Sequence, residues 1–300
     1  FAEDEDNTLW TSGGGRVIGW LNTRQFLETG DAVAAQGWTP FILDTNGNGR
    51  RDEDYVEPDQ AVDPSRDKRI NSGFYAVAPA PDGSVWGSNL SYPGAVVRLM
   101  PGDDPTVTAL TEYYELPLDA DGDPIEGFSP RGMDIDRNGV AWVALASGHM
   151  ASFDRSLCQG PLNGPEATGQ HCPEGWTFYT EPLPQFKNID LPGSSEGSYY
   201  TWVDQFDTLG LGENTPINTG NQSGALLALK DGEWVRLRVP YPLGFYTKWM
   251  DGRIDDPDAG WKGRGLWTTF SSRAPFHMET GAGTSSKVYH FQMRPDPLAN

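Results

Sequence analysis

The chain has 300 residues, 37% of them hydrophobic, with 11 Trp, 13 Phe and 11 Tyr, which is enough apolar material for one large all-β domain or two ordinary ones. A net charge of −20 repels phosphate backbones and anionic bilayers, so nucleic acid and acidic membranes are excluded as partners, and no apolar run approaches the ~20 residues of a membrane span. The 36 Gly and 24 Pro suit many short strands joined by turns.

In chain order, Phe1-Ala2-Glu3 reads as the tail of a strand, so any targeting segment is expected upstream. A polar turn leads to Trp10, and RVIGWLN (16–22) is an apolar strand. Residues 23–37 predict a short helix with Phe26 and Leu27 on one side and Gly37 as its stop. After a polar insertion at 44–70, PDGSVW (81–86), GAVVRLM (94–100) and EYYELP (112–117) read as strands. The pattern returns in PRGMDIDRNGVAW (130–142), turning at Asn138-Gly139, then in a loop holding His149 and the strand HMASFDR (149–155). WTFYTEPLP (176–184) closes that unit, after a second insertion at 156–175. A third unit runs from YYTWVD (199–204) to ALLALKDGEWVRLRVP (225–240), where Asp231-Gly232 predicts a tight hairpin turn. GFYTKWM (244–250), GRGLW (263–267) and SKVYHFQM (286–293) form the last, with 251–262 between its first two strands.

The repeat is therefore a four-stranded unit, a-b-c-d, in which strand b follows a polar turn and reaches a Trp. One such sheet cannot bury both faces, but sheets set radially bury them against one another, so residues 1–300 predict a single all-β domain, a β-propeller. A β-sandwich is the alternative. The count gives about four complete blades and one incomplete N-terminal blade. This fits part of a seven-bladed propeller completed by an upstream segment or another chain, or a small five-bladed one.

The sharpest motif is DTNGNGRRDED (44–54). Asp44, Asn46, Asn48 and Asp52, with the Arg50 carbonyl, offer the oxygens that hard Ca²⁺ takes, and Gly49 permits the turn. The twelfth position is Tyr55 rather than a bidentate Glu, so Glu53, Asp54 or Glu57 would have to substitute. The expected role of this Ca²⁺ is structural. A weaker acidic run, DADGDPIE (119–126), reads as a solvated turn. Cys158 and Cys172 enclose a segment without apolar periodicity. A disulfide there would contribute about 3 kcal/mol in the chain-entropy model and implies an extracellular or periplasmic location.

In a propeller the d–a and b–c loops share the face where the central channel opens. Arg131, Tyr199, Tyr200, Tyr246 and Lys248 fall on the d–a side, and Asn89, Tyr92, His149, Arg273, His277 and Glu279 on the b–c side. Asn89, Tyr92, Arg131, Tyr200, Lys248 and Arg273 are the candidate ligand-binding set. His149, His277 and Glu279 are the candidate acid–base set. The sequence contains no nucleophile elbow, zincin motif, Walker loop or dinucleotide fingerprint.

The stretches PDGSVWGSNLSYPGAVVRL (81–99) and PRGMDIDRNGVAWVALASGHMASFD (130–154) resemble bacterial secreted propellers of the streptogramin-lyase-like (virginiamycin B lyase-like) superfamily, and among them proteins labelled carboxypeptidase-regulatory-like. The resemblance implies a seven-bladed fold and, for the lyases, a channel metal held near His and Glu that opens a lactone by elimination. His277 and Glu279 are the nearest counterparts, in a His-Met-Glu context that departs from the lyase pattern. Two functions from different classes follow. The first is a calcium-stabilised module binding a small molecule or protein. The other is a lyase- or lactonase-type enzyme with a second divalent metal in its channel. A structural subunit of an extracellular assembly is a third.

Overall fold

The computed structural model describes residues 7–12, 15–165, 172–240, 245–254, 264–269 and 287–292. They form a β-propeller of five consecutive blades. The expected strand tail at Phe1 lies outside these residues.

The first blade holds β1 (Thr8–Ser12), β2 (Val17–Asn22) and β3 (Gln36–Pro40), paired in that order. The helix between the last two, α1 (Thr23–Thr29), starts where the Asn22 side chain accepts the Gln25 N–H at 2.9 Å. It stops at Gly30, whose φ of 68° is the left-handed conformation of a helix C-terminus. The expected stop at Gly37 is corrected: that residue lies inside β3. Leu27 is 81% exposed, so the helix buries no apolar face against the blade.

The second blade is wider than the repeat predicts. β4 (Ile42–Leu43) and β5 (Lys68–Arg69) bracket the first insertion, and β6 (Val77–Pro79), β7 (Val85–Asn89), β8 (Ala95–Met100) and β9 (Leu110–Glu115) follow. The sheet order is β5-β4-β9-β8-β7-β6. β4 runs parallel to β9, pairing Leu43 with Thr111, so the base of the insertion covers an edge that would otherwise offer unpaired backbone. A short helix, α2 (Pro105–Thr108), joins β8 to β9.

The third blade has β10 (Pro130–Ile135), β11 (Ala141–Leu145), β12 (His149–Phe153) and β13 (Trp176–Thr180). The fourth has β14 (Thr201–Asp204), β15 (Thr215–Gly220), β16 (Ala225–Lys230) and β17 (Glu233–Arg238). The fifth has β18 (Met250–Ile254), β19 (Arg264–Thr269) and β20 (Val288–Phe291). The β16–β17 hairpin turns at Asp231 and Gly232, with φ of 51° and 80°, as the Asp-Gly pair predicts.

The recurrent turn-to-Trp pattern has a hydrogen-bonding cause. The Trp86 indole N–H donates to Ser84 Oγ at 3.0 Å, and that of Trp142 to Asp136 Oδ2 at 3.2 Å. In blades 2 and 3 the strand-b Trp is thus bonded to the turn that launches its strand.

Neighbouring blades in the chain are neighbours in space, with β6 against β10, β10 against β14 and β14 against β18. Ile18, Phe41, Phe74 and Val97 fill the space between blades 1 and 2. Trp86, Tyr114, Met133 and Phe153 fill that between blades 2 and 3, and Leu209, Ile217, Phe245 and Leu266 that between blades 4 and 5. Blades 3 and 4 meet largely through polar contacts. Asp134 Oδ2 accepts the Val203 N–H at 2.9 Å, the Gln205 amide donates to the Ile135 carbonyl at 2.6 Å, and Arg137 pairs with Glu213 at 3.1 Å.

Blades 2 and 3 are also clamped by charge. Buried Glu112 accepts two bonds from Arg155, at 2.7 and 2.8 Å, one from Arg98 at 3.2 Å and one from the Tyr114 hydroxyl at 2.7 Å. Burial alone would raise its pKa, but the hydrogen bonds from Arg155 and Tyr114 and the two guanidinium charges outweigh it, and the carboxyl is held below its ordinary value. Glu112→Ala strands Arg155 without a carboxylate and leaves Arg98 only its Asp82 partner. It is expected to destabilise the chain by about 3 kcal/mol, read from the midpoint of urea unfolding.

Candidate functional site

The innermost strands β6, β10, β14 and β18 line a cavity of about 510 Å³ on the propeller axis. Its wall includes Asp134, Tyr200, Trp202, Phe206, Trp249 and Asp251. The Asp134 carboxylate accepts backbone N–H groups from Ile135 and Val203, both at 2.9 Å. Burial pushes it up to about 6 against the pull of those two bonds, and the charge of Asp251 adds to the rise. Tyr200, in the expected ligand-binding set, does line the cavity, and burial together with the charges of Asp134 and Asp251 raises its phenol.

Three residues before each of these carboxylates along the chain stands a cation, Arg131 before Asp134 and Lys248 before Asp251. Both converge on Tyr199. Arg131 Cζ lies 4.5 Å from the ring centroid and Lys248 Nζ 4.7 Å from it, and Tyr246 packs on the same ring at 5.7 Å. Arg131 also donates to the Ser198 carbonyl at 2.8 Å. Neither cation forms an ion pair among the described residues.

The other expected site residues lie apart from this cavity. Asn89 donates to the Tyr113 hydroxyl at 3.1 Å, and Tyr92 is exposed with its ring 5.6 Å from that of Phe128. His149 opens β12 instead of standing in a loop, and its side chain is fully buried. Its Nδ1 contacts Ser147 Oγ at 3.0 Å, its ring edge meets Phe178, and its Nε2 has no partner. Burial lowers its pKa to about 4, so it stays neutral. Arg273, His277 and Glu279 lie outside the described residues.

Sequence reading missed Asp134, Asp251, Trp202 and Trp249. The alternation of strand a marks Asp134 between buried Met133 and Ile135, but only the ring tells an axial position from a peripheral one. It also missed Glu181, which is enclosed between blades 3 and 4. Glu181 Oε1 accepts bonds from Ser198 Oγ and Asn218 Nδ2, the latter at 2.8 Å, while Oε2 has no partner. Burial pushes this carboxyl up to about 8.

The Asp44 loop is tightly folded on its own oxygens. Asp44 accepts the N–H groups of Asn48 and Gly49 at 3.1 and 2.9 Å, and Asn48 Oδ1 accepts that of Arg50 at 2.7 Å. Asn46 Nδ2 donates to Asp52 Oδ2 at 2.7 Å, which brings two of the expected ligands together. This oxygen-rich set suits a hard cation. The weaker run at Asp119 is a turn in which Asp119 Oδ1 accepts the N–H groups of Asp121 and Asp123. Cys158 and Cys172 form the expected disulfide. The two insertions meet, since the Gly164 N–H donates to the Asp44 carbonyl at 2.7 Å.

Glu181 generates a pH prediction. Its carboxyl keeps its proton to about pH 8 when folded but releases it near 4.5 when unfolded. Its contribution to stability is therefore complete below pH 4.5 and lost as pH rises to about 8. Glu181→Gln is expected to flatten this fall, so that the variant gains on the parent between pH 5 and pH 8 in chemical denaturation.

No protein-family model and no curated protein matches the chain. Among solved structures it is similar to virginiamycin B lyase from Staphylococcus aureus, at 13% identity and a TM-score of 0.47, over 98% of this chain and 69% of that one. It is also similar to PorZ, a bacterial surface component of the type-IX secretion system of Porphyromonas gingivalis, at 15% identity and a TM-score of 0.50, over 88% of this chain and 30% of that one. A third is the extracellular domain of a putative one-component system from B. thetaiotaomicron, at 10% identity and a TM-score of 0.47, over 90% of this chain and 28% of that one. At these identities the likeness is one of fold.

Proposed function

We propose that this propeller is an extracytoplasmic binding module whose central channel takes an organic cation. The observation that carries this reading is the cavity of about 510 Å³ between the innermost strands, whose wall carries Trp202 and Trp249 together with the carboxylates of Asp134 and Asp251. Aromatic faces attract a cation through their quadrupole, and the carboxylates beside them add charge that a neutral ligand does not use. The net charge of −20 draws cations toward the channel from a distance. A ligand with an anionic far end would gain Arg131 and Lys248, which stand three residues before those carboxylates along the chain. The disulfide supports a location outside the reducing cytoplasm. A structural Ca²⁺ held by Asp44, Asn46, Asn48, Asp52 and the Arg50 carbonyl belongs to the same reading.

Choline is the probe. Titration followed by calorimetry and Trp fluorescence is expected to show one saturable site. Trp249→Ala and Asp251→Asn should each weaken it about tenfold, in keeping with the ~1.4–2 kcal/mol of a desolvated cation–π or charge contact. Absence of binding, or equal affinity in parent and both variants, would overturn the reading.

A further inference from the structure

A second cavity lies where blade 1 meets blade 2, and it shares no lining residue with the channel cavity. Its volume is about 790 Å³, within the range of about 300–1,000 Å³ usual for small-molecule sites. One wall comes from the first hairpin. β1 and β2 set Trp10 directly opposite Trp20, and Thr8 opposite Asn22. Residues opposite one another on paired strands, and residues two apart along one strand, share a face. Both indoles and the Asn22 amide therefore stand on one side of the blade. Gln25 of α1 and Gln36 of β3 line the same cavity.

A glycine makes room for Trp20. Gly37 stands opposite it on β3, and a Cβ at that position would come within 3.0 Å of the indole and 2.6 Å of Thr106 Oγ1. The ring thus lies across the β3 backbone, with Thr106 of α2 beside it. The Trp20 N–H is buried and has no acceptor. Those of Trp86, Trp142, Trp176 and Trp234 each have one within the protein. A buried N–H is destabilising unless an acceptor meets it.

The facing wall carries charges that are already engaged. Arg98 is held by Asp82 at 2.8 Å and by Glu112 at 3.2 Å, and Asp82 Oδ1 also accepts the Ser84 N–H at 3.0 Å. Asp104 Oδ1 accepts the Thr106 N–H at 3.1 Å, at the start of α2. An anion would therefore meet no free guanidinium or ammonium among the lining residues, and a cation would have to compete with Arg98 for Asp82. What the cavity still offers is two indole rings and three amides. Asn22 Oδ1 takes the Gln25 N–H at 2.9 Å, which leaves the Asn22 amide nitrogen and the Gln25 side chain for a ligand.

We propose that this cavity binds a neutral sugar, with a pyranose ring against Trp20 and its hydroxyls on Asn22, Gln25 and Gln36. A pyranose has a C–H face that packs on an indole and a rim of hydroxyls. Each hydroxyl both donates and accepts, and a side-chain amide answers it in both senses. A hydroxyl beside Trp20 is also the acceptor that its N–H lacks.

The test is calorimetric titration of the whole chain with maltose, cellobiose and N,N′-diacetylchitobiose, followed in parallel by Trp fluorescence. At least one of these sugars is expected to bind saturably at one site per chain. Trp20→Ala should weaken it about tenfold and Gln25→Ala about threefold, the losses of an aromatic contact and of a hydrogen bond. Gln25→Ala serves alone if Trp20→Ala does not fold, because the hydrogen bonds Gln25 makes within the protein come from its backbone. The two cavities are separate, so sugar binding stands or falls apart from the choline site. No saturable binding of any of these sugars, or parent-like affinity in the variants that fold, would overturn the proposal. Choline binding that Trp20→Ala weakens, with no sugar bound, would give the cavity to a cation and overturn it as well.

Discussion

Each sheet in this molecule has two faces to cover, and the covering of one blade by the next is the constraint on which the rest depends. Strands such as β12 and β16 carry buried residues along nearly their whole length, so neither face can be left to water. Radial stacking satisfies this, and it brings the first strand of every blade toward one axis. The channel is a consequence of that packing: the strands that line it are placed by apolar contacts made elsewhere.

The blade interfaces are not alike. Three are filled by apolar clusters, and the second of these is reinforced by the Glu112–Arg155–Arg98 clamp. The interface of blades 3 and 4 holds the polar contacts of Asp134 and Glu181. An apolar interface is indifferent to pH, whereas one that encloses a carboxyl pushed to about 8 weakens as that carboxyl is made to ionise. The polar interface also faces the cavity, where Asp134, Tyr200 and Trp202 meet. The part of the ring that is least apolar is thus the part that offers chemistry to a ligand.

The insertions behave as one outer structure. β4 and β5 attach the first to the edge of blade 2, and Gly164 ties the second to Asp44. Neither has an extended apolar stripe of its own. A covalent bridge in one and a hydrogen-bonded acidic neck in the other take the place of a core. This is how small cross-linked segments generally hold their shape.

The turn residues, the strand periodicity and the recurrence of Trp act locally, which is why strands b to d of blades 2 and 3, the Asp-Gly hairpin and the disulfide were legible in the order of residues, whereas β15 of blade 4, which carries no Trp, was not read. The oxygen-rich spacing at Asp44 was legible for the same reason, since its partners stand within nine positions of one another. The helix stop was misplaced because Gly30 and Gly37 are equally good local signals, and only the pairing of β3 decides between them. What the sequence could not give depends on contacts far apart in the chain. The strand-a residues Asp134 and Asp251 meet only because three blades curve round an axis. His149 looked accessible in the sequence but is sealed by its neighbours. Asp67 stands 15 residues from Asp52 and reaches it only because β4 and β5 close the neck between them. Local propensity sets the strands, but which side chains share a space is decided by how the blades stack.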